Sequence, residues 1–247
     1  MTQIFAHRGY SALFPENTMT AFYEADKAGA DGIEIDVQLT KDGEAVIIHD
    51  ERVDGHTDGQ GFVKDFTYAE IRKLNAAFSQ KKFSGKERIP SLRELLEWLT
   101  ANQLICNIEL KNGLIPYPGM EEKVIELVHS FGLSSRMIIS SFNHYSIVHS
   151  YRLAPEIEIA PLYSAGLYMP WVYAQSIKAK GIHPKLAAAP DAIIKESIEN
   201  GIAVRPYTVN KEADMKRLFK AGCSAFFTDE PVKACKIKDE LQKNNDL

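Results

Sequence analysis

The chain has 247 residues, 45% of them hydrophobic, enough for a sizeable core and long for one ordinary domain. Charged residues make up 25% and the formal net charge is -4, a balance that argues against nucleic acid as the main partner without excluding a locally positive pocket. No stretch approaches the roughly 18 apolar residues of a membrane span, and the N-terminus carries neither a basic nor an apolar signal segment, so the reading is a cytoplasmic protein with no stable membrane insertion.

Ile4-Phe5-Ala6 is a short apolar run and reads as a buried strand that delivers His7 and Arg8 at its end, where Gly9 lets the chain turn. Thr18 caps a helix carrying Ala21, Phe22 and Ala25 on one face, and Gly29 stops it. Strand 32–37 follows. Thr40-Lys41-Asp42-Gly43 then signals a hairpin, with a return strand over 45–48. Residues 51 to about 90 break the rhythm. They are rich in Gly and Asp, hold one short helix near 67–74 and a loop over 81–86, and read as an insertion on the frame. Alternation resumes at Ser91, which with Glu94 forms a capping box for a helix over 92–99. Strands are expected at 104–110, 137–141, 157–162, 181–183 (weak), 202–206 and 225–228. Helices are expected at 120–130, 144–151, from about 170, 190–200, 211–221 and from 231. Strands alternating with helices imply parallel βαβ units. With 45–48 as an appendage, eight strands remain. The expectation is a single (β/α)8 TIM barrel over 1–247, a fold that typically needs about 250 residues. An open doubly wound sheet is the rival, weakened because no glycine-rich dinucleotide fingerprint follows the first strand. Cys106, Cys223 and Cys235 lack metal-ligand spacing and read as reduced thiols.

Strand side chains alternate, so Glu34 and Asp36 share one face while Ile33, Ile35 and Val37 share the other. Two adjacent carboxylates on an otherwise apolar strand are costly without a cation between them, and a divalent metal is the natural candidate. Folding the return strand around Asp42-Gly43 sets His49 roughly level with Asp36, to within a residue or two. Two histidines, one arginine and two carboxylates then meet: an acid/base pair, a phosphate clamp and a metal site.

His7-Arg8-Gly9, Pro15-Glu16-Asn17-Thr18, the 31–37 segment around Glu34 and Asp36, and His49-Asp50, in that order within fifty residues, resemble the glycerophosphodiester phosphodiesterase family. Asn107-Ile108-Glu109-Leu110-Lys111, Ser140-Ser141-Phe142, Pro206 to Asn210 and Phe227-Thr228-Asp229 extend the resemblance nearly end to end. It implies metal-dependent hydrolysis of a small-molecule glycerophosphodiester, such as glycerophosphocholine or glycerophosphoethanolamine, to glycerol 3-phosphate and an alcohol. His7 and His49 are the expected general acid and base, in an order left open.

In such a barrel the site lies at the C-terminal strand ends, and Glu109 and Lys111 share a face there. Glu34, Asp36 and Glu109 are the expected metal ligands. Oxygen-only donors select a hard ion, Mg²⁺ or Ca²⁺. The plain alternative is a structural charge network of these acids with Arg8 and Lys111. Arg8 offers a donor fork and Lys111 a point charge for phosphate. Phe142 and Tyr207 are candidate walls of the glycerol site, although the family often carries Trp where Tyr207 stands. Glu16 and Asn17 read as loop-fixing hydrogen bonders, and Asp54 and His56 as polar groups near the mouth that depart from the family's usual pattern. His183 reads equally well as packing, and the aromatic-rich 167–173 stretch, which could touch a lipid, reads better as a helix start packing on the barrel. Rival functions are a lysophospholipase D acting on lysolipids, a Schiff-base aldolase through Lys111, and a non-catalytic phosphodiester binder. The oligomeric state stays open, a homo-oligomer included.

Overall fold

The structure, a computed structural model, describes residues 1–80 and 83–244. In chain order its elements are β1 (Gln3–His7), α1 (Met19–Lys27), β2 (Gly32–Leu39), β3 (Ala45–Ile47), α2 (Tyr68–Ile71), α3 (Leu92–Leu99), β4 (Ile105–Leu110), α4 (Met120–Ser130) and β5 (Met137–Ser141). They continue as α5 (His144–Leu153), β6 (Glu158–Tyr163), α6 (Pro170–Ser176), β7 (Gly181–Pro184), α7 (Asp191–Glu199), β8 (Ala203–Val204), α8 (Glu212–Lys220), β9 (Ala225–Thr228) and α9 (Pro231–Lys243). Hydrogen-bonded neighbours run β8-β7-β6-β5-β4-β2-β1-β9. The ring then closes from β9 onto the segment after β8, where Phe227 N–H donates to Pro206 O at 2.9 Å and Val209 N–H to Phe227 O at 2.8 Å. Closure excludes the open doubly wound sheet.

The strand pleat sorts the side chains. Ile33, Ile35 and Val37 of β2 face outward into the main core, together with Leu92, Leu95, Leu96 and Leu99 of α3. That helix starts as its capping box predicts: Ser91 Oγ accepts from Glu94 N–H at 3.2 Å, and Ser91 N–H donates to Glu94 Oε2 at 2.9 Å. Such a cap contributes about 1 kcal/mol, and each buried Leu about 1.5–3 kcal/mol. Inside the barrel, Phe5, Ile138, Ala160, Ala225 and Phe227 form a separate small cluster. The Arg205 guanidinium reaches Glu158, at the N-terminal end of β6, at 2.7 Å. His183 is fully buried in the barrel, edge-on to Phe227 at 4.9 Å. Its packing role is therefore the one realised.

The excursion after β3 packs Ile48, Val53, Val63, Ile71 and Ile89 with Val46 of β3 in an apolar knot of their own. Its helix is shorter than expected, Tyr68–Ile71 only. Lys81 and Lys82 of the expected loop lie outside the described residues. The hairpin register refines one expectation by a residue. Leu39 pairs with Ala45, and Ile48 N–H donates to Asp36 O at 2.9 Å, so Ile48, and not His49, stands opposite Asp36. The cause is a five-residue loop centred on Asp42. Thr40 N–H donates to Glu44 O at 3.0 Å, and Thr40 Oγ1 accepts from Glu44 N–H at 3.0 Å.

Candidate active site

Parallel register brings the polar strand ends together. His7 lies beside Glu34, Glu34 beside Asn107, Asp36 beside Glu109, and Glu109 beside Ser140. Glu34, Asp36 and Glu109 each offer an oxygen within 4.8 Å of the others. Arg8 sits at φ 56 and Gly9 at φ 79, so the chain doubles back directly after β1. A side chain at Gly9 would lie 2.7 Å from the Ala21 backbone, and only glycine fits there.

The cations do not neutralise the acids. Asp36 faces Arg8 Nε at 3.3 Å and Lys111 Nζ at 3.9 Å, and it accepts from Asn17 Nδ2 at 2.9 Å. Burial alone would raise its pKa, but Arg8, Lys111, His49 and the Asn17 hydrogen bond outweigh burial and hold it below the usual carboxylate range. Lys111 also pairs with Glu109 at 3.0 Å, yet burial and the Asp36 charge still push Glu109 upward. Glu34 is worse placed. Its contact is the Arg8 backbone N–H at 3.0 Å. Burial, then Asp36 and Glu109, drive its pKa well above the ordinary value. A buried carboxylate beside two others, with a backbone N–H as its hydrogen bond and the Arg8 charge only partly offsetting them, fits a bound cation better than a self-contained charge network. The all-oxygen donor set suits a hard divalent ion.

Each histidine is held through Nδ1 by a carboxylate. His7 Nδ1 meets Asp229 Oδ1 at 2.7 Å, and His49 Nδ1 meets Asp50 Oδ1 at 2.6 Å. In both rings Nε2 is left for chemistry. Asp229 is itself locked by Asn210 Nδ2 at 2.5 Å and by Ser11 Oγ at 3.1 Å. Burial pushes the Asp229 carboxyl up, and its bonds to His7, Asn210 and Ser11 bring it below its ordinary value, so it remains an anion behind the ring. The loop carrying His49 hangs from Gln38, whose Nε2 donates to Ile48 O at 3.0 Å and Asp50 O at 2.7 Å, while Tyr117 Oη donates to Gln38 Oε1 at 3.0 Å. Asp50, Asp229 and Gln38 were not among the expected site residues. Signals for them existed: Asp50 adjoins His49, Asp229 follows a strand, and Gln38 continues the inward face of Glu34 and Asp36.

Arg8 is less free than a phosphate fork suggests. Its Nη1 is spent on Glu16 Oε1 at 3.0 Å and its Nε faces Asp36, which leaves Nη2. Glu16 and Asn17 hold the loop as expected, by way of Arg8 and Asp36. His56 lies 3.4 Å from Asp50 and 3.7 Å from Glu16, on the rim. Phe142 and Tyr207 meet edge to face at 6.1 Å, and Tyr207 Oη donates to Tyr163 O at 3.2 Å. A cavity of about 360 Å³ is lined by Glu109, Lys111, Leu114, Phe142 and Glu51, and a second of about 300 Å³ by His7, Arg8, Ser11, Glu16 and Asp229. Among the described residues, no helix is long and apolar enough to cross a membrane.

Comparison with known proteins agrees with this geometry. The model of the glycerophosphoryl diester phosphodiesterase family matches residues 7–233. A glycerophosphodiester phosphodiesterase of Caldanaerobacter subterraneus subsp. tengcongensis is 46% identical over 231 residues, covering 93% of this chain and 95% of that protein. One of Bacillus altitudinis is 43% identical over 247 residues, covering 98% and 100%. The structure of an Oleispira antarctica phosphodiesterase in complex with the product sn-glycerol-3-phosphate is similar at TM-score 0.85 and 30% identity, over 97% of each chain. The chain therefore belongs to the glycerophosphoryl diester phosphodiesterase family of enzymes.

Proposed function

We propose that this protein hydrolyses glycerophosphodiesters, such as glycerophosphocholine and glycerophosphoethanolamine, to glycerol 3-phosphate and the free alcohol. The observation that carries the reading is the cluster of Glu34, Asp36 and Glu109, in which the Arg8 charge only partly offsets the burial of Glu34 and its two acidic neighbours, flanked by two carboxylate-anchored histidines. Glu34, Asp36 and Glu109 would hold a divalent ion, Mg²⁺ or Ca²⁺. That ion would supply charge neutralisation at the phosphoryl oxygens and a lowered pKa for the attacking hydroxyl.

The chain's own groups do the rest. The Nε2 of one histidine takes the proton of the attacking oxygen, and the Nε2 of the other protonates the departing one. The Nδ1–carboxylate bonds to Asp229 and Asp50 fix each ring and offset the charge of the protonated form. A P–O bond to the attacking oxygen forms as the P–O bond to the alcohol breaks, with one water consumed overall. Water and the neighbouring glycerol hydroxyl are both served by this arrangement. Arg8 Nη2 and Lys111 Nζ are the donors for the non-bridging oxygens, and Phe142 and Tyr207 wall the glycerol. The free thiols Cys106, Cys223 and Cys235 support a reducing, cytoplasmic setting.

The test is glycerol 3-phosphate release from glycerophosphocholine with EDTA, and again after Mg²⁺ or Ca²⁺ is restored. Release should vanish with chelator and return with one of the ions. His7→Ala and His49→Ala should each lower kcat by about 10²-fold or more. Release unaffected by chelator would sink the metal assignment. Release from lysolipids alone, with none from soluble diesters, would sink the substrate assignment.

A further inference from the structure

The turn that follows His49 carries two polar side chains without a role so far, Asp54 and His56. Val53–Gly55 form a single 3₁₀ turn. Thr57 closes it, donating to Val53 O from its N–H at 3.0 Å and from Oγ1 at 2.8 Å. Asp54 is engaged within the loop, where Oδ1 accepts from Arg52 Nη2 at 2.9 Å and Oδ2 from Gly61 N–H at 3.0 Å. His56 is directed at the site instead. Its Nε2 lies 3.4 Å from Asp50 Oδ2 and 3.7 Å from Glu16 Oε1. The turn packs closely on Asp50, for a Cβ at Gly55 would come within 3.0 Å of the same Oδ2.

These two acids hold working groups of the site. Asp50 Oδ1 meets His49 Nδ1 at 2.6 Å, and Glu16 Oε1 accepts from Arg8 Nη1 at 3.0 Å. Among the described residues, His56 is the side chain that reaches both acids. The anchors behind the two catalytic histidines are also unequal. Asp229 is locked by Asn210 Nδ2 and Ser11 Oγ as well as by His7. Asp50 is 41% exposed, and among the described residues its carboxylate has no side-chain partner except His49 and His56. The terminal torsion of an aspartate is broad, so a carboxylate on the rim turns easily and orients its imidazole poorly. A donor on the second oxygen removes that freedom. The Nε2–H tautomer of His56 and its charged ring both supply such a donor.

We propose that His56 is a positioning residue that holds Asp50 from the side opposite His49, and thereby keeps His49 in the orientation that leaves Nε2 to the substrate. It does for Asp50 what Asn210 and Ser11 do for Asp229. Its approach to Glu16 ties the same ring to the anchor of Arg8. The inference rests on the phosphodiesterase reading above and adds a residue to that site; His56 itself is assigned no contact with substrate.

The experiment has a kinetic arm and a spectroscopic arm. In the first, kcat and KM for glycerophosphocholine are measured at a saturating level of the activating ion. The proteins are wild type, His56→Ala, His56→Gln, Asp50→Asn and the double variant of His56→Ala with Asp50→Asn. His56→Ala should lower kcat about 3- to 10-fold, less than is typical for a partner behind a functional imidazole, because Asp50 is partly open to solvent. His56→Gln keeps a donor at similar reach and should recover most of that loss. Asp50→Asn should cost at least as much as His56→Ala. The double variant should be no slower than Asp50→Asn, because His56 acts on kcat through Asp50. Wild-type kcat in His56→Ala, no recovery in His56→Gln, or losses that multiply in the double variant would each overturn the inference.

The second arm reads His49 without turnover. Ring ¹⁵N spectra are recorded at about pH 8, above the ordinary histidine range, with the His49 signals identified by their loss in His49→Ala. Wild type should hold the His49 proton on Nδ1, where the ionised Asp50 accepts it, and His56→Ala should mix the two tautomers. An unchanged tautomer in His56→Ala overturns the inference. A tautomer shift in a protein that releases glycerol 3-phosphate from no diester would sink the hydrolase reading and leave the positioning role standing. Release by wild type, with neither kcat nor tautomer altered in His56→Ala, would do the reverse.

Discussion

His7 and His49 are each useful only in one orientation, and one oxygen of a neighbouring acid fixes it. Asp229 lies 222 positions from His7 and touches it only because β9 pairs with β1. Asp229→Asn should keep the fold but place an amide where His7 Nδ1 and Asn210 Nδ2 both meet an anion. We expect kcat to fall about 10- to 100-fold with little change in KM, by analogy with carboxylates behind other functional imidazoles. His7→Ala should cost more, since it removes the proton carrier itself. Steady-state kinetics of the two variants, with circular dichroism to verify folding, check the order, and an Asp229→Asn variant as fast as wild type would refute it. The same residues show what was legible beforehand. Glu34, Asp36, Glu109 and Lys111 could be read because strand alternation is local and puts i and i+2 on one face. Asp229 and Gln38 act through contacts across the barrel or to a loop, which no local period encodes. His49 could be placed only to within a residue, because an odd-length loop, closed by Thr40 and Glu44, cannot be told from an even one by its turn residues.

At the scale of elements, the site depends on strands lying in one register, and β2 is the strand that sets it. It pairs with β1, β3 and β4 and carries Glu34, Asp36 and Gln38 inward. Its first residue is Gly32 because Phe5 from β1 crosses the space a side chain would need. A Cβ there would lie 2.7 Å from Ile105 O and 3.0 Å from the Phe5 ring. Gly32→Ala must therefore push β2 away from β4 or turn Phe5 off its rotamer. The expected cost is about 1–3 kcal/mol. That corresponds to a Tm lower by roughly 2–10 °C for a chain of this size. Gly113→Ala, with nothing within 4 Å of the new carbon, should leave Tm nearly unchanged. Differential scanning calorimetry of both variants decides the point, and equal melting of the two would show that β2 has slack. The alternation of strands and helices was readable throughout, because apolar runs, caps and turn residues are local signals. Short β8, only Ala203–Val204, owes its place to partners on either side, as its sequence alone suggests a longer strand.

For the molecule as a whole, the barrel interior makes stability depend on pH through a residue remote from the chemistry. His183 is fully buried, with Phe227 against its ring. Burial, assisted by the Arg205 guanidinium, drives its pKa well below 6.5, so the folded protein keeps it neutral. The unfolded chain does not. Near its ordinary pKa of about 6.5, an exposed histidine takes up a proton that the folded state refuses. With more protons bound in the unfolded state, stability rises with pH across that window. The contribution of His183 is therefore fully present above about pH 7 and declines as pH falls below the unfolded value of about 6.5, at up to about 1.4 kcal/mol per pH unit. From pH 7 to pH 5 this amounts to about 2 kcal/mol. Other groups titrate in the same range, so the measurement is a difference of differences. Urea unfolding of wild type and His183→Leu is compared at both pH values. Wild type should lose about 2 kcal/mol more than the variant on acidification, and the variant should approach or exceed wild type at pH 5. Equal losses would mean that His183 takes up its proton as readily in the folded barrel as in the unfolded chain, and would refute the burial argument.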